Sequence, residues 1–188
     1  MRFTMSLLSH MHRLGAWRAA AGSCAAALAL TAAAQQDLET SVPSNWTSSA
    51  GSSLSITTNH YKLGSQALQW DWTSNAVLTI TDPGIAPADV TDSAKATCDF
   101  WVHCPVALPG QRLRVQFYDA VNALQYSFDV DLGFTGWRRA VRNFRYDMIK
   151  VGGGSNFKQV RLLAPVAGVG QFFFDAVTWA GPRFTRFK

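Results

Sequence analysis

The chain has 188 residues, of which 17 are basic and 12 acidic, and nearly half are hydrophobic. This length gives room for one domain and an appendage, since typical domains have roughly 100 to 200 residues. The formal net charge of +5 is not gathered into a basic run or a recognisable nucleic-acid-binding module, so no nucleic-acid partner is expected.

Residues 1–34 have the pattern of a secretory signal peptide. Three arginines and no acidic residue precede and flank an alanine-rich apolar run, which ends in an Ala-x-Ala cleavage pattern at Ala34. The apolar run is well short of the roughly 20 residues that span a bilayer. We therefore expect cleavage after Ala34, a secreted or periplasmic protein, no membrane span in the mature form, and a single mature domain over residues 35–188.

After residue 36 the chain divides into short patterned runs separated by turn residues, which is the spacing typical of a β-sandwich. In the 65–72 run, Leu68, Trp70 and Trp72 alternate with polar or small residues, which predicts a strand with one face buried against an opposing sheet. No run outside the leader keeps a helical period, so little helix is expected. The other predicted strands are 38–42, 53–57, 76–81, 96–103, 112–119, 126–132, 137–144, 160–164 and 172–179.

Cys98 and Cys104 are the two cysteines of the mature part, and the stretch between them has the pattern of a strand. Six positions along a strand separate Cα atoms by about 20 Å, whereas a disulfide tolerates less than about 7 Å, so free buried thiols are expected. His60 and His103 show no metal-binding spacing and are expected to be structural. No Gly-x-Ser-x-Gly motif is present and Glu39 is the only glutamate, so nothing indicates a hydrolase.

Four motifs follow one another across the mature chain. They are His-Tyr-Lys-Leu-Gly-Ser-Gln-Ala-Leu-Gln-Trp-Asp-Trp at 60–72, Phe-Trp-Val-His at 100–103, Asp-Leu-Gly-Phe-Thr-Gly-Trp-Arg-Arg-Ala at 131–140 with Tyr-Asp-Met at 146–148, and Leu-Leu-Ala-Pro at 162–165 leading to Phe-Phe-Phe-Asp at 172–175. In order and spacing they resemble the N-terminal domain of chondroitin sulfate ABC lyases, which are polysaccharide lyases of the family 8 type. The resemblance implies an all-β, antiparallel jelly-roll β-sandwich of the galactose-binding-like kind.

The resemblance also bears on activity. In that family the catalytic Tyr, His, Arg and Glu lie on a helical toroid that follows this domain, and nothing in residues 35–188 corresponds to it. We therefore expect no β-elimination from this chain alone, whether it is a truncated lyase, a fragment or a free-standing domain. The implied role is a non-catalytic carbohydrate-binding or accessory domain of a secreted glycosaminoglycan lyase. The alternative is a structural domain that packs on a lyase catalytic domain and binds no sugar.

A structural calcium ion is a further implication, because jelly rolls of this kind often hold one. The matching positions are Glu39, the loop from Leu63 to Gln66, whose backbone carbonyls would contribute, and Asp175. Calcium accepts several oxygen ligands in a flexible shell. Asp175 also lies in an otherwise apolar strand, where a lone carboxylate is costly. The alternative is that Asp175 caps a turn at the end of the sandwich and Glu39 is solvated.

Chondroitin sulfate is a polyanion, so the resemblance directs attention to the basic residues around position 140. Guanidinium groups match sulfate and carboxylate well, and we predict Arg138, Arg142 and Arg145 as glycan contacts. In an ideal strand Arg138 and Arg142 share one face while Arg139 takes the other. The alternative for each arginine is an ordinary solvated strand face. The tryptophans mostly occupy core-like positions, and none is predicted as a sugar-stacking platform.

Overall fold

The computed structural model of the protein describes residues 38–92 and 96–181. These residues contain eleven strands, which form two facing sheets, and one short helix. The predicted signal peptide lies outside these residues. The helix α1 (Pro87–Thr91) follows β4 and has a proline in its first turn. The strands are β1 (Trp46–Ser48), β2 (Ser53–Thr57), β3 (Ala67–Thr73), β4 (Val77–Thr81), β5 (Thr97–Cys104), β6 (Arg112–Tyr118), β7 (Leu124–Asp131), β8 (Gly136–Asn143), β9 (Ile149–Lys150), β10 (Gln159–Leu163) and β11 (Val169–Gly181).

Both sheets are antiparallel throughout their strand pairs. The six-stranded sheet has the order β1-β4-β10-β6-β7-β9, and the five-stranded sheet has the order β2-β3-β11-β5-β8. The last strand, β11, therefore lies in the middle of the five-stranded sheet, between two strands that come much earlier in the chain. This arrangement confirms the predicted all-β, antiparallel jelly-roll sandwich.

Aromatic side chains fill the space between the sheets. Trp70 and Trp72 point inward from β3, as the alternation predicted, and are buried. Phe172 of β11 stacks on Trp72 with the ring centroids 5.2 Å apart. A Cβ atom at Gly170 would lie 2.9 Å from the Trp72 ring, so the indole needs a glycine beside it. Burial of each such ring stabilises the fold by roughly 1.5 to 3 kcal/mol.

The strand predicted over residues 38–42 is wrong, because this segment forms bends and no ladder. Leu38 is nevertheless buried, so its side chain rather than its backbone ties the segment to the core. The carbonyl of Pro43 then accepts a hydrogen bond from the Trp46 N–H at 2.9 Å and turns the chain into β1. Neither β1, β9 nor α1 was predicted.

Cys98 and Cys104 are free and buried, as predicted. Both point into the core from β5, and burial raises the pKa of both thiols, to about 12 for Cys104. Across the two described ranges, no helix has the length and apolar character needed to cross a membrane.

Candidate functional site

The three arginines predicted as glycan contacts lie on or just after β8, an edge strand of the five-stranded sheet. Arg138 and Arg142 are in register with the inward-facing Val102 and Cys98 of β5, so they share one side of β8, as the alternation predicted. Arg145 lies in the turn that follows β8 and is exposed. The structure therefore brings the three residues to one edge of the sandwich.

Aromatic rings and backbone carbonyls contact these guanidinium groups. Arg138 lies 4.1 Å from the Phe134 ring centroid, and Arg142 donates to the Val141 carbonyl at 2.9 Å. Arg145 lies 5.5 Å from the Tyr146 ring centroid. None of the three arginines forms an ion pair with a carboxylate among the described residues. The edge thus carries positive charge that no described acid neutralises.

Two other arginines of the sandwich, Arg139 and Arg114, pair with carboxylates. Arg139 projects from the opposite side of β8 and binds both carboxylate oxygens of Asp99, a two-point contact that raises the pKa of Arg139. Arg114 binds Asp129 in the same two-point way, with Nε to Oδ1 at 2.8 Å, and holds the pKa of Asp129 below its usual range. Carboxylates thus neutralise Arg139 and Arg114, whereas the three arginines at the β8 edge have no such partner among the described residues.

The loop between β2 and β3 is held by the two carboxylates that were predicted to bind calcium. Oδ2 of Asp175 accepts hydrogen bonds from the backbone N–H groups of Lys62 and Leu63, at 2.6 and 2.8 Å. Oε2 of Glu39 accepts from the N–H groups of Ser65 and Gln66, at 2.8 and 3.1 Å. Both predicted acids therefore meet the predicted loop.

The loop offers the two carboxylates its backbone N–H groups, which are donors, whereas a cation needs oxygen ligands. Asp175 is only 3% exposed, and its Oδ1 accepts from the Ala176 N–H at 2.6 Å, so hydrogen bonds account for burial of this carboxylate without an ion. No group of three or more His, Cys, Asp or Glu side chains gathers within residues 38–92 and 96–181. The calcium site stays a prediction from the resemblance.

The same loop covers part of the outer face of the five-stranded sheet. The His60 ring stacks on His103 at 4.2 Å and meets Phe173 edge-on at 4.6 Å, while Lys62 Nζ lies 4.5 Å from the Trp101 ring centroid. Burial and the neighbouring His60 lower the pKa of His103. Both histidines therefore pack in an aromatic cluster, the structural role expected of them.

Two of the tryptophans depart from the core positions anticipated for most of them. Trp101 and Trp137 are half-buried on the outer face of the five-stranded sheet. Trp137 contacts His103 with the ring centroids 5.2 Å apart. The remaining described tryptophans, Trp46, Trp70, Trp72 and Trp179, are buried.

The outer face of the six-stranded sheet was not singled out from the sequence. It has an open depression of about 450 Å³ at one end and another of about 640 Å³ at the other. Outward side chains of β6 and β10 line the first depression, and outward side chains of β10 line the second. Alternation along β6 did predict that Arg114, Gln116 and Tyr118 point outward. It could not predict that β10 lies beside β6, because the two strands are far apart in sequence and meet only in the folded sheet.

Comparison with models of protein families identifies most of the chain. A family model described as "Lyase, N terminal" matches residues 32–186. A chondroitin sulfate ABC exolyase of Proteus vulgaris is 30% identical over 146 residues, which are 77% of this chain and 14% of that protein. The chain thus spans about a seventh of the length of this relative.

Solved structures with a similar fold include carbohydrate-binding modules. The C-terminal family 22 module of Clostridium thermocellum Xyn10B superposes with a TM-score of 0.53 at 11% identity, over 82% of this chain and 96% of the module. A family 11 module from Clostridium thermocellum, in complex with a β-1,3-1,4-mixed-linked tetrasaccharide, gives 0.52 at 15%, over 79% and 95%. An exo-β-agarase gives 0.54 at 15%, over 77% and 24%. At such identities these likenesses show a shared fold.

Proposed function

The chain belongs to the family of lyase N-terminal domains, and on that premise we propose that it is a non-catalytic carbohydrate-binding accessory domain of a secreted lyase. Its proposed ligand is chondroitin sulfate or a similar anionic glycosaminoglycan. In this proposal residues 1–34 are a signal peptide and residues 35–188 form the domain. The observation that carries it is the set of arginines at the β8 edge, Arg138, Arg142 and Arg145, which have no carboxylate partner among the described residues.

The spacing of these arginines suits a chain with repeated negative charges. Arg138 and Arg142 share one side of a strand and are four residues apart, which places their Cα atoms roughly 13 Å apart. Planar guanidinium forks bind sulfate and carboxylate through paired hydrogen bonds. Exposed charge pairs are screened by salt, so binding at this edge should weaken as ionic strength rises.

Retention on immobilised chondroitin sulfate along a sodium chloride gradient tests this proposal. We expect the wild-type chain to bind at low salt and R138Q/R142Q to elute earlier. The matched control is K62Q/K150Q, which removes the same charge from two exposed lysines and should elute close to the wild type. No retention of the wild type at low salt contradicts the binding proposal, and equal elution of all three proteins contradicts the site.

The proposal assigns no catalytic step to this chain. Its described acids that are buried or half-buried are engaged. Arginines bind Asp99 and Asp129, and backbone N–H groups bind Glu39, Asp119 and Asp175. Glutamine side chains bind Asp71. An acid bound in this way is poorly placed to take a proton from a sugar. Chondroitin sulfate incubated with the chain should show no rise in the absorbance of unsaturated uronate, and a rise would overturn this assignment.

A docking role is the second candidate function, in which the domain packs on a lyase catalytic domain and binds no sugar. Three exposed apolar side chains lie close together in sequence beyond β8, namely Tyr146, Ile149 and Val151, which are 70%, 65% and 57% exposed. Exposed apolar patches commonly mark protein contacts. Co-elution with a lyase catalytic domain in size-exclusion chromatography, together with no retention on chondroitin sulfate, would favour this role.

Calcium binding at the β2–β3 loop is a further proposal, with Glu39, Asp175 and the carbonyls of Leu63 and Gln66 as ligands. An ion there would share the carboxylate oxygens with the N–H groups that already bind them. If the ion binds, calcium should raise the melting temperature of the wild type relative to the protein in EDTA, and Glu39→Gln should remove that rise. An unchanged melting temperature would contradict calcium binding.

A further inference from the structure

The central strands of the six-stranded sheet carry a continuous row of polar side chains on their outer face. Arg112, Arg114, Gln116 and Tyr118 project outward from β6, because Leu113, Val115 and Phe117 are buried. Gln159, Arg161 and Leu163 project outward from β10 beside them. We call the surface formed by these seven side chains the β6–β10 trough.

The two depressions lie at opposite ends of this trough. The first is lined by Arg112 and Arg114 of β6 and by Leu163 of β10, and the second by Gln159 and Arg161 of β10. Because the strands are antiparallel, Arg112 and Leu163 mark one end, while Tyr118 and Gln159 are paired at the other. Arg112 and Tyr118 are six positions apart on one strand, so the trough is roughly 20 Å long, enough for several sugar units.

Arg161 is positioned in the trough by neutral groups. Its guanidinium lies 4.2 Å from the Tyr118 ring centroid, and its Nε and Nη2 donate to Gln159 Oε1 at 3.1 and 2.6 Å. Nη2 also donates to Asn122 Oδ1. No described carboxylate pairs with Arg161, and its Nη1 donates to no described residue. The side chain therefore presents an ordered, uncompensated positive charge.

At the other end, Arg112 and Arg114 share one carboxylate, that of Asp129. Arg114 makes the two-point contact, whereas Arg112 reaches the same carboxylate through a single Nη1–Oδ2 contact of 3.3 Å and is 65% exposed. Asp131 of β7 is in register with Arg112, but its Oδ1 accepts from the Gly133 N–H at 2.9 Å and no ion pair joins it to Arg112 among the described residues, so Arg112 has only the single contact with Asp129. Since Arg161 is in register with Gln116, four residues from Arg112, the Cα atoms of Arg112 and Arg161 are roughly 14 Å apart along the sheet.

The acids near the second depression are occupied. Asp82 pairs with Lys158 Nζ at 3.3 Å. Oδ1 of Asp119 accepts from the N–H groups of Val121 and Ala123, at 3.0 and 2.9 Å. These contacts keep both acids away from Arg161, so an incoming anion would not compete with a carboxylate for its guanidinium.

We propose that the β6–β10 trough is a second glycan-binding site, which takes an acidic polysaccharide lengthwise along the central strands. Arg161 and Arg112 bind carboxylate or sulfate groups of the sugar chain, and the amides of Gln116 and Gln159 pair with its hydroxyls. The site lies on the six-stranded sheet, whereas the arginine edge belongs to β8 of the five-stranded sheet. The ligand class rests on the proposed function, while the location does not.

Titration of the ¹⁵N-labelled chain with a size-defined chondroitin sulfate octasaccharide tests the proposal by NMR. The side-chain amides of Gln116 and Gln159 report on the trough, and the backbone amides of residues 138–142 report on the β8 edge. R112Q/R161Q and R138Q/R142Q remove the same charge from the two surfaces, so each controls for the other. Thermal melting identifies any variant that does not fold, and Arg161→Lys, which keeps the charge without the planar fork, serves as the milder substitution.

In the wild type we expect both groups of signals to shift. R112Q/R161Q should weaken binding in the trough about tenfold or more and leave the β8 shifts in place. R138Q/R142Q should do the reverse, and Arg161→Lys should weaken the trough less than R112Q/R161Q. If only the β8 signals shift, or if R112Q/R161Q leaves the trough shifts unchanged, the trough is not a binding site although the proposed function stands. If nothing shifts and the chain is not retained on chondroitin sulfate, the proposed function itself fails.

Discussion

At Gly64 the backbone has φ +66°, and the glycine leaves room for the carboxylate that holds the β2–β3 loop. A Cβ atom there would lie 2.1 Å from Oε1 of Glu39, well inside any tolerable contact. Gly64→Ala should therefore both strain the backbone and displace Glu39 from the N–H groups of Ser65 and Gln66. We expect a loss of about 2 to 3 kcal/mol in the free energy of unfolding.

Urea denaturation measures this loss, and Gly110→Ala is the matched control. Gly110 has a similar φ of +74°, but a Cβ atom added there would meet nothing within 4 Å, so its replacement should cost only the backbone strain, about 1 kcal/mol. Equal losses for the two variants would show that Glu39 does not depend on the space at Gly64.

His103 makes the stability of the fold depend on pH. It is 9% exposed and stacked on His60, and both burial and the second imidazole hold its pKa below the ordinary value. The unfolded chain, with a histidine pKa of roughly 6.5, therefore binds a proton more readily than the folded chain. As far as His103 is concerned, the free energy of unfolding should be highest above about pH 6.5 and should decrease as the pH drops through this value.

Chemical denaturation at a series of pH values measures the effect. His103→Gln removes the titrating group. In this variant the free energy of unfolding should depend less on pH between neutral pH and the range where carboxylates titrate. The same slope in both proteins would mean that other groups cause it.

At the scale of elements, the β2–β3 loop depends on a strand far away in sequence. Oδ2 of Asp175 in β11 accepts from the N–H groups of Lys62 and Leu63, and Oδ1 accepts from that of Ala176. An asparagine there would point its NH2 group at one of these donors, and its neutral oxygen would be a weaker acceptor than the carboxylate. Asp175→Asn should cost about 2 kcal/mol or more and speed hydrogen exchange at these two N–H groups. Asp82→Asn, which alters an exposed pair with Lys158, should cost less than about 0.5 kcal/mol. Unchanged exchange in Asp175→Asn would show that another contact holds the loop.

The strands that were predicted well are those with enough residues to show alternation. β2 has the predicted bounds, and β3 to β8 and β10 differ from prediction by a few residues at most. With three and two residues, β1 and β9 are too short for a period to appear, and α1 covers little more than one helical turn. β11 is longer than predicted because its register shifts between Asp175 and Thr178, which interrupts the alternation.

The candidate site was predictable only in part, for a related reason. Alternation along one strand put Arg138 and Arg142 on the same side of β8, but the pairing of Arg139 with Asp99 depends on the β5–β8 register. Likewise, Arg161 meets Tyr118 because β10 lies beside β6, and that neighbour relation joins segments about 40 residues apart. Local pattern gives the face of a side chain, whereas its partner depends on the order of strands in the sheet.

At the scale of the whole molecule, Cys98 and Cys104 report on global unfolding. Both are fully buried in the core face of β5, and burial raises the pKa of each thiol, so few thiolates form at neutral pH. In the native protein, iodoacetamide should leave both unmodified, and in denaturant it should alkylate both, as read by mass spectrometry of the peptide that contains them. Rapid native alkylation of either cysteine would mean that β5 opens locally without global unfolding.

The position of β11 determines when the five-stranded sheet can form during synthesis. In a nascent chain that extends only to β10, β2 can pair with β3 and β5 with β8, but the strand that joins these two pairs within the five-stranded sheet is missing. The contact that then forms between Asp175 and Lys62 spans 113 positions, so the sheet closes late and over long loops. A chain that ends before residue 169 therefore has two unjoined strand pairs in this sheet, and the edges of β3 and β5 that β11 would cover stay open to association with other chains.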